Sequence, residues 1–141
     1  MKVVPFQVEH FWAIKPQKAQ SYVPERVDAR ELKPLESLAS FTVLVEDKPI
    51  ACFGWLEQHK LRATIWGYLD KDAGEHMIAL TRIGKRMVDG LSYRRIEMEV
   101  DCEFEAGHRW AKMLGLKLEV ERLKATRTDG GDSAVYAKTR T

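Results

Sequence analysis

The segment ATIWGYLDKDAGEHMIALTRIGKRMVDGLSYRRIEMEV, residues 63–100, decides the fold of this chain. Residues 63–69 are rich in β-branched and aromatic side chains, which predicts a strand. From Glu75 to Leu91, apolar residues recur at the spacing of an amphipathic helix. Residues 95–100 alternate between apolar and charged side chains, which predicts a second strand with Glu97 and Glu99 on its polar side. A strand that follows a helix that follows a strand is a crossover unit, so we expect the two strands to be parallel neighbours.

Two further strand candidates precede this unit. Phe41–Val45 and Ile50–Leu56 are apolar runs separated by the polar turn at residues 46–49, which is typical of a hairpin. A second turn at residues 58–60 connects the hairpin to residues 63–69. The three strands should therefore form an antiparallel meander.

The N-terminal part of the chain carries weaker signals. Lys2–Phe6 is a short strand candidate, and Gln7–Ile14 has a weak helical stripe. Lys15–Val27 is polar and contains two prolines, which predicts a loop. Asp28 is a candidate N-cap for a helix in which Leu32, Leu35, Leu38 and Ala39 follow at helical spacing.

The C-terminal part is predicted to continue with a helix and a hairpin. Glu103–Leu114 has an apolar stripe at helical spacing, and Gly115 is its expected C-cap. Leu118–Thr126 and Ser133–Thr139 alternate as strands, with the turn at residues 129–132 between them. The whole pattern predicts an α/β fold: a mixed central sheet with helices on both faces.

Length and composition exclude several classes of protein. The 141 residues suit one domain, residues 1–141. A net charge of +2, from 23 basic and 21 acidic residues, is too small for a typical nucleic-acid-binding protein. We find no apolar run that suits a signal peptide or a membrane span, and we expect reduced cysteines at Cys52 and Cys102. The four histidines do not fall at metal-ligand spacing, so no metal site is expected.

One helix end carries the most specific motif. Residues 109–116, RWAKMLGL, and the order of elements around them resemble the GNAT superfamily of N-acyltransferases, from about Ala39 to the C-terminus. The Trp-containing helix, the Gly-Gly-Asp turn at residues 130–132 and the pair Tyr136-Ala137 are similar to a phage branch of that fold. That branch includes small internal virion proteins of short-tailed phages.

The resemblance implies where a cofactor would lie. In GNAT enzymes the acyl-CoA occupies a V between two splayed parallel strands, and its pyrophosphate sits at the N-terminus of the helix that follows the first strand. The family pattern there, basic-x-x-Gly-x-Gly/Ala, falls near Asp72 to Met77, where an acid replaces the basic residue and Gly74 is the only glycine. The acids of this segment, Asp70, Asp72 and Glu75, would repel a phosphate or stabilise a helix N-terminus. If acyl-CoA bound, the resemblance would place it against Tyr68, Leu69, Gly74, Glu75 and His76.

The resemblance also implies a general acid, usually a tyrosine on the last helix. Ala111 occupies that position and has no proton to donate. Weak candidates for acid–base work are His108, which we expect on a solvated basic face, and Tyr93. Glu57, near the end of a meander strand, is the candidate for a general base.

Two classes of function follow. The first is a phage virion-associated or assembly protein on a degenerate GNAT scaffold, without a cofactor or acetyltransferase activity, whose partners are other virion proteins. The second is an acyl-CoA-dependent N-acetyltransferase with a divergent pyrophosphate loop, which would use acetyl-CoA. A host-takeover factor that binds a host protein is a third possibility. The expected location is the virion or the host cytoplasm rather than a secreted form.

Overall fold

The computed structural model describes residues 1–140, with Arg26 described by its backbone alone. Seven strands form one mixed sheet: β1 Lys2–Pro5, β2 Ser40–Val45, β3 Lys48–His59, β4 Arg62–Leu69, β5 Arg95–Asp101, β6 Lys117–Leu123 and β7 Ser133–Thr139. Their order in the sheet is β1-β2-β3-β4-β5-β7-β6. The α-helices are α1 Val8–Ala13, α2 Val23–Arg26, α3 Ala29–Leu32, α4 Met77–Gly90 and α5 Glu105–Met113. The predicted mixed α/β architecture is confirmed.

The central prediction concerns β4 and β5. These strands are parallel neighbours, with Arg62 opposite Arg95 and Thr64 opposite Glu97. α4 lies between them in the chain, preceded by a short 3-10 segment, Ala73–His76. The remaining observed strand pairs, β1–β2, β2–β3, β5–β7 and β6–β7, are antiparallel.

The chain packs as two compact units. The first consists of Met1–Leu56 and Trp66–Glu75. Its core holds α1 and α3 through aromatic and aliphatic side chains, and the rings of Phe11 and Tyr68 stack with centroids 4.6 Å apart. At Gly54 of β3 the backbone just before β2 comes so close that a Cβ there would lie 2.2 Å from the carbonyl oxygen of Ala39. The buried core residues of this unit are Phe6, Phe11, Ile14, Leu32, Cys52 and Tyr68.

The second unit consists of Glu57–Ile65 and His76–Thr141. Within it, α4 packs closely against the C-terminal end of α5. A Cβ added to Gly84 of α4 would lie only 2.9 Å from Cδ2 of Leu114, the C-cap residue of α5. The Trp110 indole of α5 donates a hydrogen bond to Thr81 Oγ1 of α4 at 3.1 Å. Gly115, with φ of +92°, ends α5 in a Schellman arrangement, as the sequence predicts.

Several predicted boundaries are wrong. Lys15–Val27 is not a plain loop: it contains a 3-10 turn, Lys18–Gln20, and the short helix α2. Asp28 caps α3 as expected, since its Oδ1 accepts from Arg30 N at 2.9 Å, but the helix ends at Leu32 and a 3-10 segment follows. β3 runs on to His59, so the turn before β4 lies at residues 60–61.

One prediction about a polar strand face and one about the end of a strand also fail. Glu97 is only 9% exposed, because Arg62 and Arg95 both hold its carboxylate. β6 ends at Leu123 rather than Thr126. The Arg127 guanidinium pairs with Asp101 and Asp129, which holds the chain beyond β6 in a loop.

Candidate functional site

The end of β4 is where the GNAT resemblance places a cofactor, and here it is bonded to an N-terminal segment. We call this segment, Lys15–Gln20, the strap. Gln17 N donates to Leu69 O at 3.3 Å, and Lys71 N donates to Lys15 O at 2.7 Å. Pro16 and Asp70 lie between these two bonds as an antiparallel bridge. The strap therefore adds a short strand-like contact to the end of β4.

The side chain of Gln20 extends this contact. Its Nε2 donates to Gly67 O at 2.9 Å, and its Oε1 accepts from Leu69 N at 3.0 Å. A carboxamide used in this way supplies the same donor and acceptor as a peptide group. Three polar backbone groups at this edge of β4, namely Gly67 O, Leu69 N and Leu69 O, are therefore already paired.

The strap occupies a particular edge of β4. Backbone groups of residues two apart along a strand point to the same edge. Gly67 and Leu69 therefore share their edge with Leu61, whose carbonyl accepts from Arg95 N at 2.9 Å. Asp70 N points to the opposite edge and donates to Ile50 O at 2.9 Å.

Asp70 organises the loop that follows β4. Its side chain is 1% exposed and accepts from Lys15 N at 2.9 Å and from Asp72 N at 3.0 Å. The Lys48 ammonium lies 3.5 Å away. Burial alone would raise the pKa of this carboxyl, but the two N–H donors and Lys48 outweigh it and lower the pKa. Asp70 is thus a buried, ionised anchor rather than a free surface charge.

The backbone donors of residues 69–73 are hydrogen-bonded within the protein. The N–H groups of Leu69, Asp70, Lys71 and Asp72 donate to the partners named above, and the N–H of Ala73 donates to Asp70 O at 3.0 Å. Every backbone N–H from residue 69 to residue 73 therefore has a partner within the protein. A phosphate approaching this turn would find none of these five donors available.

The other predicted cofactor residues have different surroundings. Gly74 is exposed, and a Cβ built there meets no described atom within 4 Å. Glu75 is exposed and His76 is the half-buried residue that precedes α4. Tyr68 is 3% exposed and lies in the core of the first unit, where its hydroxyl has no hydrogen-bond partner among the described residues. Burial, with smaller contributions from Cys52 and Asp70, raises the pKa of Tyr68 to about 12.

The second unit contains the predicted acid–base candidates. Ala111 is fully buried, so the position of the family tyrosine is part of the core. His108 does not lie on a solvated face, which corrects the prediction. Its Nδ1 lies 2.6 Å from the hydroxyl of Tyr136 and its Nε2 lies 2.9 Å from Cys102 O. His108 therefore bonds Tyr136 of β7 through one ring nitrogen and the chain before α5 through the other.

The structure brings two of the candidates together. The Tyr93 hydroxyl donates to Glu57 Oε1 at 2.7 Å at the surface of the second unit. A tyrosine paired with a carboxylate can exchange a proton, but this pair lies at an exposed position. Burial raises the pKa of Cys52 to about 12, which makes that thiol a poor nucleophile. Within residues 1–140, no three His, Cys, Asp or Glu side chains gather as metal ligands would.

Solved structures share this architecture. Ard1 from Thermoplasma volcanium superposes with a TM-score of 0.78 at 12% identity, over 99% of this chain and 97% of that one. A GNAT-family acetyltransferase from Bacillus anthracis gives 0.68 at 14% identity, over 97% and 93% of the two chains. An N-acetyltransferase from Staphylococcus aureus gives 0.68 at 16% identity, over 98% and 97%. The chain has the GNAT fold.

Identities this low establish the fold and leave the activity open. The sequence matches no protein-family model. No curated protein matches it as a relative either. None of the described helices is both long enough and apolar enough to cross a membrane.

Sequence reasoning missed the strap and the role of Asp70. Gln20 lies 47 and 49 residues from the backbone groups that it bonds, and it sits in a polar, proline-flanked segment without periodicity. Lys15 is 55 residues from the Asp70 oxygen that it meets. Long-range bonds between a loop and a strand end leave no local pattern, so nothing in the sequence could have predicted them.

Proposed function

We propose that this chain is a non-catalytic GNAT-fold protein that does not bind acyl-CoA and that serves in a phage particle or in its assembly. The observation that supports this best is the paired edge at the end of β4, where Gly67 and Leu69 bond the strap. In a GNAT enzyme this end of the strand lines the cofactor site. Here the chain itself fills the hydrogen-bonding positions.

The strap makes cofactor entry costly. Pantetheine carries amide groups, which need backbone partners along a strand. Five hydrogen bonds join the strap to the end of β4 or to the residues just after it. Each contributes about 0.5–1.5 kcal/mol, so detaching the strap costs roughly 2.5–7.5 kcal/mol. A conformational cost of about 4 kcal/mol weakens apparent affinity by about a thousandfold.

The loop after β4 opposes phosphate in two ways. Its backbone donors from residue 69 to residue 73 are taken, and phosphate binding at such turns depends on free N–H groups. Asp72 and Glu75 are exposed carboxylates in the same segment. Lys48 pairs with Asp72 at 3.1 Å, which removes part of the basic charge that could offset them.

On α5, too, the side chains at the expected position are not suited to proton transfer. Ala111 is buried and carries no proton. His108 bonds Tyr136 and a backbone carbonyl, so its imidazole serves as a link between α5 and neighbouring chain segments. This arrangement suits a structural role for the helix.

Two exposed features, the edge strand β6 and the side chain of Ile78, are available for binding another protein. β6 is an edge strand, and all of its residues except Val120 are exposed. Ile78 of α4 is 76% exposed, which is unusual for a large aliphatic side chain. An exposed strand edge is a ready place for another chain to pair. We assign these surfaces to other virion proteins, in line with the resemblance of residues 130–132 and Tyr136-Ala137 to the phage branch.

Mass spectrometry of purified particles tests the virion role. Particles of the phage that encodes the chain should contain it at a fixed ratio to the major capsid protein, and the ratio should survive a further density-gradient step. Loss of the chain on repurification, with the protein recovered instead in a soluble complex with a host protein, would contradict the virion assignment and favour the host-takeover alternative.

A further inference from the structure

An open cavity of about 390 Å³ lies in the second unit. It is formed where β3 ends, β4 and β5 begin and β7 ends. Four of its seven lining residues are arginines, and a volume of this size suits a small ligand. The lining residues are His59, Leu61, Arg62, Arg94, Arg95, Thr139 and Arg140.

The charges of this cavity are not balanced. Arg62 pairs with Glu97, and Arg95 pairs with Glu97 and Glu119. In the part of the chain that the structure describes, these two carboxylates are the only ones bonded to the four guanidinium groups. Four positive and two negative charges leave a surplus of two positive charges.

The surplus resides on Arg94 and Arg140. The Arg94 side chain is exposed and makes no hydrogen bond or ion pair with another described residue. Arg140 donates to the carbonyl oxygens of Leu91 and Val88 at the end of α4. Carbonyl acceptors orient this guanidinium without neutralising it, and N–H groups remain that can reach a ligand.

The other lining residues complete the site. Leu61 N donates to His59 Nδ1 at 3.2 Å, so a neutral His59 carries its proton on Nε2 and can act as a further donor. Leu61 itself is 56% exposed and gives the cavity an apolar surface. Donors beside an apolar surface suit a ligand with a charged group and a small organic part.

We propose that this cavity binds the phosphate group of a small dianionic phosphomonoester, with Arg94 as the principal charged contact and Arg140 as the second. Guanidinium forks match the geometry of phosphate oxygens, and a phosphate dianion carries the two charges that the cavity lacks. The cavity is lined entirely by residues of the second unit and shares no residue with the strap, so this inference does not depend on the proposed function.

Titration followed by 1H–15N NMR tests the site. The probes are inorganic phosphate, which reports on the charged group alone, and adenosine monophosphate, which adds an organic part, both at constant ionic strength. We expect saturable shifts confined to residues 59–62, 94–95 and 139–140, with the monophosphate binding more tightly than phosphate. Arg94→Ala should weaken both by about tenfold or more, the effect of losing one charge-assisted hydrogen bond.

Arg109→Ala is the matched control. Arg109 is also exposed and unpaired among the described residues, and its removal changes the net charge equally. Phosphate binding should be the same in Arg109→Ala and the wild type. Equal weakening by both substitutions, shifts spread over the basic surface, or tighter binding of a short DNA that both substitutions reduce would overturn the proposal. Absence of saturable shifts with either probe would overturn it as well.

Discussion

Replacing Asp70 by Asn should destabilise the protein by about 2–4 kcal/mol at neutral pH. The Asp70 carboxylate accepts from Lys15 N at 2.9 Å and from Asp72 N at 3.0 Å, one bond to each oxygen. An Asn carbonyl can replace one acceptor, whereas its NH2 group would face a backbone donor. A hydrogen bond to a charged group contributes about 1.5–3 kcal/mol, and the remaining bond would become a weaker neutral one. Urea denaturation of the two proteins measures the difference.

The same difference should depend on pH in a defined direction. The lowered pKa of Asp70 means that its ionised form is favoured in the folded state. Its contribution to the free energy of unfolding is present above the unfolded pKa of about 3.9 and is lost as the pH falls through the lower, folded value. The gap between wild type and Asp70→Asn should therefore be constant near neutrality and shrink in strong acid.

Asp72→Asn is the matched control for this experiment. Asp72 is exposed and pairs with Lys48 at 3.1 Å, so its loss should cost less than about 1 kcal/mol. An Asp70→Asn variant that is as stable as Asp72→Asn, or a gap that widens as the pH falls, would refute the view that Asp70 is a buried ionised anchor.

Three further substitutions test the packing. Gln20→Ala should cost about 1–3 kcal/mol in urea melts, because it leaves a backbone N–H and a carbonyl at the end of β4 without partners; no measurable loss would show that the strap is not held there. Gly54→Ala should cost about 2–3 kcal/mol because the new Cβ would meet a backbone oxygen 2.2 Å away, whereas Gly74→Ala, in open space, should be neutral, and equal stabilities would contradict this. His108→Ala should cost about 1–3 kcal/mol by leaving the buried Tyr136 hydroxyl unpaired, and a cost below about 0.5 kcal/mol would restore the exposed placement that the sequence suggested.

Local patterns in the sequence were sufficient for much of the fold. The alternation at residues 95–100 and the apolar stripe from Glu75 to Leu91 predicted β5, α4 and the parallel pairing with β4, all of which the structure has. These patterns work because each element must bury one face. Glu97 is an exception to the alternation, since Arg62 of β4 and Arg95 of β5 both pair with its carboxylate and allow it to be buried.

The candidate site depended on contacts that no local pattern records. Asp70 and Asp72 looked alike in the sequence, yet one is buried and anchors the loop while the other is exposed. Ala111, where the resemblance places the family tyrosine, is fully buried. The use of Gln20 to pair the edge of β4 required the chain to return from a distant segment, and only the structure could place it.

Calorimetric titration with acetyl-CoA at neutral pH tests the central claim most directly. The strap on the edge of β4 and the paired backbone donors of residues 69–73 predict no saturable binding in the micromolar range, which corresponds to an affinity weaker than about −8 kcal/mol. A GNAT enzyme that binds acetyl-CoA, titrated under the same conditions, provides the positive control. A clean micromolar isotherm with this chain would contradict the non-catalytic assignment and would favour an acyl-CoA-dependent N-acetyltransferase.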